Sequence, residues 1–471
     1  MSTLSLSRKE SIKVDWITLV TFFCLLLIGW MMIYASGFSE LTDRVIPFFK
    51  TNAGKQLIAI IISAFIFLIV FITDSKFWST LAYPIYLVAL LLLILVIFIG
   101  QTIKGSTSWF NLGGLSFQPS EFGKFGTMLA MAAYISYYKT NLKQPRSRLI
   151  AMAIVFIPVG LILLQPDAGS ALTYSAFFVL FFREGFNPVW YIVGLTLLAL
   201  FILALKFEPF YVVAYLICIG SSILFSQLKR NNGHWAVLAA SWGVLIASYW
   251  FKFPITYILV PLSIGLMYFI FNAYVQRLQR LLIILVPSIL LGATFTKVSQ
   301  YSVDHFLRPH QQDRINVWLR PEKCDPRGNL YHVMQSKLAI SSGNLYGKGF
   351  LAGTLTKLNY VPEQSTDFIF SIVGEEQGFM GIIAIIGLFV LLMFRTVIIG
   401  ERAKNTFTRV YAYSYLGFIM VHFFINIGMT MGLVPIMGIP LPFISYGGTS
   451  CMVFSLMTAL LIKLDTSRHF G

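Results

Sequence analysis

"ITLVTFFCLLLIGWMMIYAS", residues 17 to 36, carries no formal charge from end to end. A helix needs roughly 20 apolar residues to cross the hydrocarbon of a bilayer. Cleavable signal peptides have a shorter apolar core and a small-residue cleavage site. This run is of spanning length and leads into more such runs, so it reads as a retained helix. The whole chain repeats the pattern. Apolar residues fill 57% of its 471 positions and charged residues 11%, against about 45–50% and about 25% in soluble chains. The expected fold class is an all-α polytopic membrane protein.

Cutting the chain at charges and at Pro/Gly turns gives fourteen expected spans. They are 17–36, 56–73, 80–100, 122–138, 149–164, 168–182, 189–205, 209–227, 235–251, 254–272, 281–297, 367–394, 410–431 and 444–462. The positive-inside rule orients them. With Arg8, Lys9 and Lys13 placed in the cytoplasm, the segments on that side hold 19 Lys/Arg and the short outer loops hold six. Both termini are therefore expected in the cytoplasm. One long loop, about 297–366, falls outside and carries nine Lys/Arg against five Asp/Glu.

The net charge of +16 does not imply nucleic acid, because the basic residues lie mostly in short loops between spans. Cys24, Cys218 and Cys451 sit in apolar runs and Cys324 is alone in a loop, so no disulfide framework is expected. His305, His310 and His332 share the long loop without metal-ligand spacing, and no Walker loop occurs.

Chemistry concentrates in four places. "VPEQSTDFIFSIVGEEQGFMG" (361–381) holds four of the chain's 19 acids: Glu363, Asp367, Glu375 and Glu376. Asp367 reads as a helix N-cap. A cap leaves Glu375 and Glu376 unexplained, so the window also reads as an acid-lined entrance. An acid there can accept a proton from a sugar hydroxyl. In "QPSEFGK" (118–124), Pro119 suits a first helical turn, and Glu121 and Lys124 share a face. They are either an ion pair at the interface or a charge pair in a cavity. Asp167 in "LLQPDAGSAL" reads as a turn residue or a site acid. "MGLVPIMGIPLPFISYGGTS" (431–450) is too rich in Gly and Pro for a regular helix. It is either a plain connection or irregular backbone lining a wet cavity. Its Ser445, Gly447 and Gly448 would let a phosphate approach the backbone.

Together, "QPSEFGK", "LLQPDAGSAL", "STDFIFSIVGEEQGFMG" and "MGLVPIMGIPLPFISYGGTS" resemble the SEDS membrane glycosyltransferases, over most of the chain and in order. The stretch 312–350 is similar to the loop of RodA-type members. The resemblance implies polymerisation of lipid II into glycan strands during elongation and shape maintenance. It implies a site at the outer face of the bacterial cytoplasmic membrane, with undecaprenyl pyrophosphate as leaving group. It implies a class B penicillin-binding protein as partner, membrane lipids as surroundings and no nucleic acid. It carries the essential aspartate onto Asp367 and a functional Glu and Lys onto Glu121 and Lys124. Gln118, Asp167, Glu375, Ser445, Gly447 and Gly448 are the further substrate-binding candidates. Arg314 and Lys357, among the loop's basic residues, would steady the pyrophosphate. The family is linked to divalent cations, Mg or Mn, although the sequence shows no metal site.

SEDS proteins have about ten spans, so residues 206–280 read as inserted helices between a core at 1–205 and its continuation at 281–471. A lipid II flippase is the competing class, since buried charges and broken helices also mark transporters. A scaffold that only recruits the transpeptidase is the third.

Overall fold

The structure is a computed structural model. It describes all residues except 1–13, 39–46, 104, 113–114, 138–139, 230, 252–253, 326–327, 359 and 468–471. Arg8, Lys9 and Lys13, on which the expected orientation leans, lie outside the described residues, as do Lys139 and Arg230. The chain forms two compact units: Met1–Phe186 with Pro326–Gly471, and Asn187–Asp325.

In the first unit, short polar side chains start the helices. Asp15 caps α1 (Trp16–Gly37), its Oδ1 accepting from the Thr18 backbone at 3.0 Å. Thr51 caps α2 (Asn52–Ile72) and Asp74 caps α3 (Ser75–Thr80). α4 (Ala82–Ile99) leads into three short antiparallel strands, β1 (Gln101–Ile103), β2 (Ser106–Leu112) and β3 (Leu115–Phe117). Pro119 and Pro145 open α5 (Pro119–Ser136) and α6 (Pro145–Leu164), where their missing N–H costs nothing. Asp167 caps α7 (Ala168–Thr173), and a turn at Tyr174–Ala176 separates it from α8 (Phe177–Arg183).

The second unit holds α9 (Val189–Lys206), α10 (Pro209–Gln227), α11 (Asn232–Phe251), α12 (Ile255–Val275), α13 (Gln279–His305) and α14 (Pro309–Leu319). Its packing centres on α10, where Ala214, Ile217 and Cys218 meet Leu245 of α11 and Ile258 and Leu262 of α12. The unit is wider than residues 206–280, because α13 packs on α9 and α10.

The chain then returns to the first unit with α15 (Asn329–Ser342), α16 (Thr354–Lys357), α17 (Ile369–Arg402), α18 (Thr406–Thr430) and α19 (Gly448–Ser467). Among the described residues, eleven helices are long and apolar enough to cross a membrane: α1, α2, α4, α6, α9, α10, α12, α13, α17, α18 and α19. The other expected ranges fall on α5, α11 and the interrupted pair α7–α8. α18 and α19 are mostly buried, whereas α4 is mostly exposed and more apolar. Polar residues can reside in inner helices because neighbouring helices, not lipid, surround them.

The expected span 168–182 falls on one apolar helical run, Ala168–Arg183, which tightens to a 3-10 turn at Tyr174–Ala176, where α18 crosses so closely that a Cβ on Gly417 would overlap Ala176 O. Two expectations change. The stretch 297–366 is not an open loop: α13 runs on to His305, and α14, α15 and α16 follow. Span twelve starts at Ile369 and is itself broken at Gly378, whose φ is +63°.

Candidate active site

Residues Glu121 and Lys124 stand one turn apart at the start of α5, and Lys124 Nζ lies 2.7 Å from Glu121 Oε1. Their side chains are only 4% and 1% exposed. The same ammonium is 3.0 Å from His422 Nε2 on α18 and 5.6 Å above the Phe454 ring of α19. His422 Nδ1 lies 2.9 Å from Pro440 O. A carbonyl only accepts, so Nδ1 carries the proton and Nε2 accepts from Lys124. A charged chain thus runs from α5 through α18 to the backbone of the 431–447 segment. His422 and Phe454 pack against the buried pair.

Asp367 sits in the turn before α17 and is half-buried. Glu363 O accepts from the backbone N–H groups of Thr366, Asp367 and Phe368 at 3.2 to 3.3 Å. The turn is pinned on three sides. Gln364 Nε2 donates to Ser36 O at the end of α1 and to Thr356 O. Tyr446 N donates to Ser365 O. Asn426 Nδ2, on α18, donates to Asp367 O at 3.0 Å and to Ile439 O at 2.8 Å. The N-cap of α17 is Phe368, without a side-chain bond, so Asp367 is not the expected cap. Its Oδ2 lies against Gly438, 3.6 Å from where a Cβ would stand. Gly438 has φ +67°, a conformation that favours glycine.

His422 and Asn426 are one turn apart on α18 and grip the adjacent carbonyls of Pro440 and Ile439. The Glu121–Lys124 pair and the Asp367 turn are therefore anchored to neighbouring residues of one segment. That segment also meets the first turn of α7, two residues after Asp167: a Cβ on Gly169 would overlap Met437 O. Asp167 accepts from Ser170 N at 3.0 Å, Ser170 Oγ at 2.7 Å and Gln118 Nε2 at 3.2 Å. Gln118 N donates to Thr449 Oγ1 at 3.4 Å. Gln118 and Asp167 thus join the start of α7 to the start of α5, with α19 alongside.

At 445–448, where a phosphate approach is expected, two polar groups have partners within the protein. Ser445 Oγ accepts from Leu441 N, and Gly447 N donates to Gln56 Oε1 at 3.2 Å. Those groups stabilise the turn itself. A Cβ on Gly448 would lie 3.7 Å from that of Ala59.

Glu375 does not line an entrance. It is fully buried and accepts from Lys348 Nζ at 2.6 Å, Leu355 N and Thr356 N at 2.9 Å, and Thr356 Oγ1 at 2.7 Å. It holds α16 in place. Glu376 is equally buried and accepts from Leu351 N. Lys357 is exposed, its Nζ 5.8 Å above the Phe38 ring. Arg314 belongs to the second unit, on α14.

Sequence reasoning missed His422 and Asn426. Both stand inside an apolar helical run, and only their one-turn spacing beside the Gly/Pro-rich segment hints at them. Among the described residues no group of three or more His, Cys, Asp or Glu is placed to hold a metal ion.

A model of the FtsW/RodA/SpoVE family, cell cycle proteins, matches residues 15–217 and 215–469. The peptidoglycan glycosyltransferase RodA of Treponema pallidum is 30% identical over 455 residues, 96% of this chain and 97% of that protein. The peptidoglycan glycosyltransferase MrdB of Escherichia coli K12 is 29% identical, covering 82% of this chain and 77% of its own. A chain from a structure reported as "Structural coordination of polymerization and crosslinking by a peptidoglycan synthase complex" is similar with TM-score 0.63 and 22% identity, over 97% and 99% of the two chains. The crystal structure of rod shape determining protein RodA from Thermus thermophilus is similar with TM-score 0.55 and 19% identity, over 97% and 98%. At these identities the structural likeness shows the fold.

Proposed function

Because this chain belongs to the FtsW/RodA/SpoVE family of cell cycle proteins, we propose that it is a peptidoglycan glycosyltransferase that polymerises lipid II, with Asp367 as general base. The reading extends to a multi-pass protein of the bacterial cytoplasmic membrane. Its termini are inside, its site faces outward, and a class B penicillin-binding protein cross-links the product.

The observation that carries the role of Asp367 is its setting. The residue is half-buried, its backbone is fixed by Asn426, and its Oδ2 lies beside Gly438. A base must hold its oxygen within hydrogen-bond reach of the proton that it removes, and a pinned backbone supplies that constancy. The carboxylate takes the proton of the acceptor sugar hydroxyl. The oxygen attacks the anomeric carbon of the lipid-linked donor, and the carbon–oxygen bond to undecaprenyl pyrophosphate breaks. One displacement inverts the anomeric centre and requires no covalent enzyme intermediate. Lys357 is an exposed cation on the same unit for the developing pyrophosphate charge. Glu121, Lys124 and His422 act by positioning, since their buried chain fixes the segment against which Asp367 rests.

The relatives are named as glycosyltransferases, and the flippase reading is not favoured. The test is glycan polymerisation from lipid II by the purified protein with its class B partner. Asp367→Asn and Asp367→Ala fold normally and make no polymer. Wild-type-like polymer from either removes the assignment.

A further inference from the structure

A cavity of about 860 Å³ opens at the opposite end of α17 from Asp367, where α2, α17 and α19 end and α18 begins. Three ammonium groups line it, those of Lys76 on α3, Lys404 in the α17–α18 linker and Lys463 on α19. Two carboxylates share the lining, Asp74 and Asp465. Asp465 is committed to Arg402, and Asp74 engages the start of α3 through one of its two oxygens. Asp465 Oδ1 accepts from Arg402 Nε at 2.9 Å, and its Oδ2 meets Arg402 Nη2. Asp74 Oδ1 caps α3, accepting from Lys76 N and Ser75 Oγ at 3.3 Å. Lys463 Nζ spends one proton on Phe71 O at 2.6 Å and keeps two. The first turn of α18 also lines the cavity, at Thr406 and Thr408, with its partial positive charge.

From this lining we infer that the cavity is a binding site for a phosphate-bearing anion, supplied by the headgroup of an anionic membrane lipid. The volume falls in the range of small-ligand sites, about 300–1,000 Å³. Three apolar spans end around it, which puts it at the headgroup level of a bilayer. It is on the same end of the unit as the start of α1, because Arg402 bridges Asp465 and Asp15. The Lys/Arg bias expects that end in the cytoplasm, and basic pockets between spans on that side suit anionic headgroups. The site is separate from the candidate active site and does not depend on the proposed reaction.

The test uses the whole protein, delipidated in neutral detergent, with radiolabelled phosphatidylglycerol, phosphatidylcholine and inorganic phosphate as three probes. Phosphatidylglycerol is retained at one equivalent and phosphatidylcholine is not. Each of Lys76→Gln, Lys404→Gln and Lys463→Gln weakens retention about fivefold, and the triple variant about a hundredfold. Lys463→Arg keeps it, as does Lys55→Gln at the other end of α2. Retention of phosphate alone, with the same lysine dependence, keeps the anion site but overturns the lipid as its source. Equal retention of both lipids, or a triple variant that melts and binds like wild type, overturns the site.

Discussion

At the scale of single residues, Asn426 decides whether Asp367 stays where the chemistry needs it. One amide group serves Asp367 O and Ile439 O at once. Asn426→Ala leaves both carbonyls without that donor, and each buried unsatisfied group costs about 1–3 kcal/mol. Asn426→Asp is nearly isosteric yet cannot donate when ionised, so it fails as well. The melting temperature falls in both, and polymerisation falls further than stability alone accounts for, since Asp367 is intact but no longer held. A stability loss with unchanged turnover of the folded fraction would leave Asn426 a purely structural residue. Lys124 and Glu121 permit a cleaner measurement. Breaking a buried ion pair by removing one partner costs about 3–5 kcal/mol, while replacing both is far milder. Glu121→Gln and Lys124→Met each destabilise by that amount, and the double variant costs less than their sum, read by thermal melts in detergent. Asp367, Glu121 and Lys124 were legible because a charge in an apolar text stands out. His422 and Asn426 were not, since their partners are backbone carbonyls, 18 and 13 residues downstream and, for Asp367 O, 59 residues upstream, and a carbonyl leaves no mark in a sequence.

At the scale of elements, the helices were legible and their interruptions were not. A charge-free run of spanning length dictates a helix in lipid, where every backbone group must be satisfied within the segment. The break in α17 follows from a different rule. Gly378 turns the backbone to φ +63°, and the groups it frees are taken up by the returning chain. Lys348 N and Gly349 N donate to the carbonyls of Glu375 and Glu376, while Phe379 N and Met380 N donate to those of Asn344 and Leu345. Glycine is necessary twice over, because a Cβ at 378 would also overlap Gly347 N. Nothing in "GEEQGFMG" announces which glycine breaks the helix, and the two glutamates beside it read as an entrance rather than as the staple of α16. Gly378→Ala strains the clasp and lowers protection of residues 343–357 in hydrogen exchange, while α18 and α19 keep theirs. Uniform loss of protection across the unit would show that the clasp is not a separate element.

At the scale of the first unit as a whole, two arginines and two aspartates tie together parts of the chain that the sequence holds hundreds of residues apart. Asp15 Oδ2 accepts from Arg395 Nη2 and from Arg402 Nη2, the latter at 2.6 Å, and Arg402 reaches on to Asp465. The start of α1, the last turns of α17 and the end of α19 thereby close on one cluster whose aspartate side chains are fully buried. Burial by itself would raise the Asp15 carboxyl, but the hydrogen bonds from Arg395, the Thr18 backbone and Arg402, with the charge of Arg395, outweigh it and hold it below the usual carboxylate range. The sign of the pH effect follows. A depressed carboxyl adds stability in full above its unfolded value, about 3.9, and loses it as pH falls from there through the folded value, because the unfolded chain then binds the proton first. Asp15→Asn therefore melts lower than wild type at pH 7. As pH falls below about 4 the difference between the two closes, since wild type loses a contribution that the variant never had. Carboxylates outside this cluster have the same surroundings in both proteins, so the difference in melting temperature between pH 7 and pH 3 isolates the cluster. A gap that stays constant over that range would mean that Asp15 acts through packing alone.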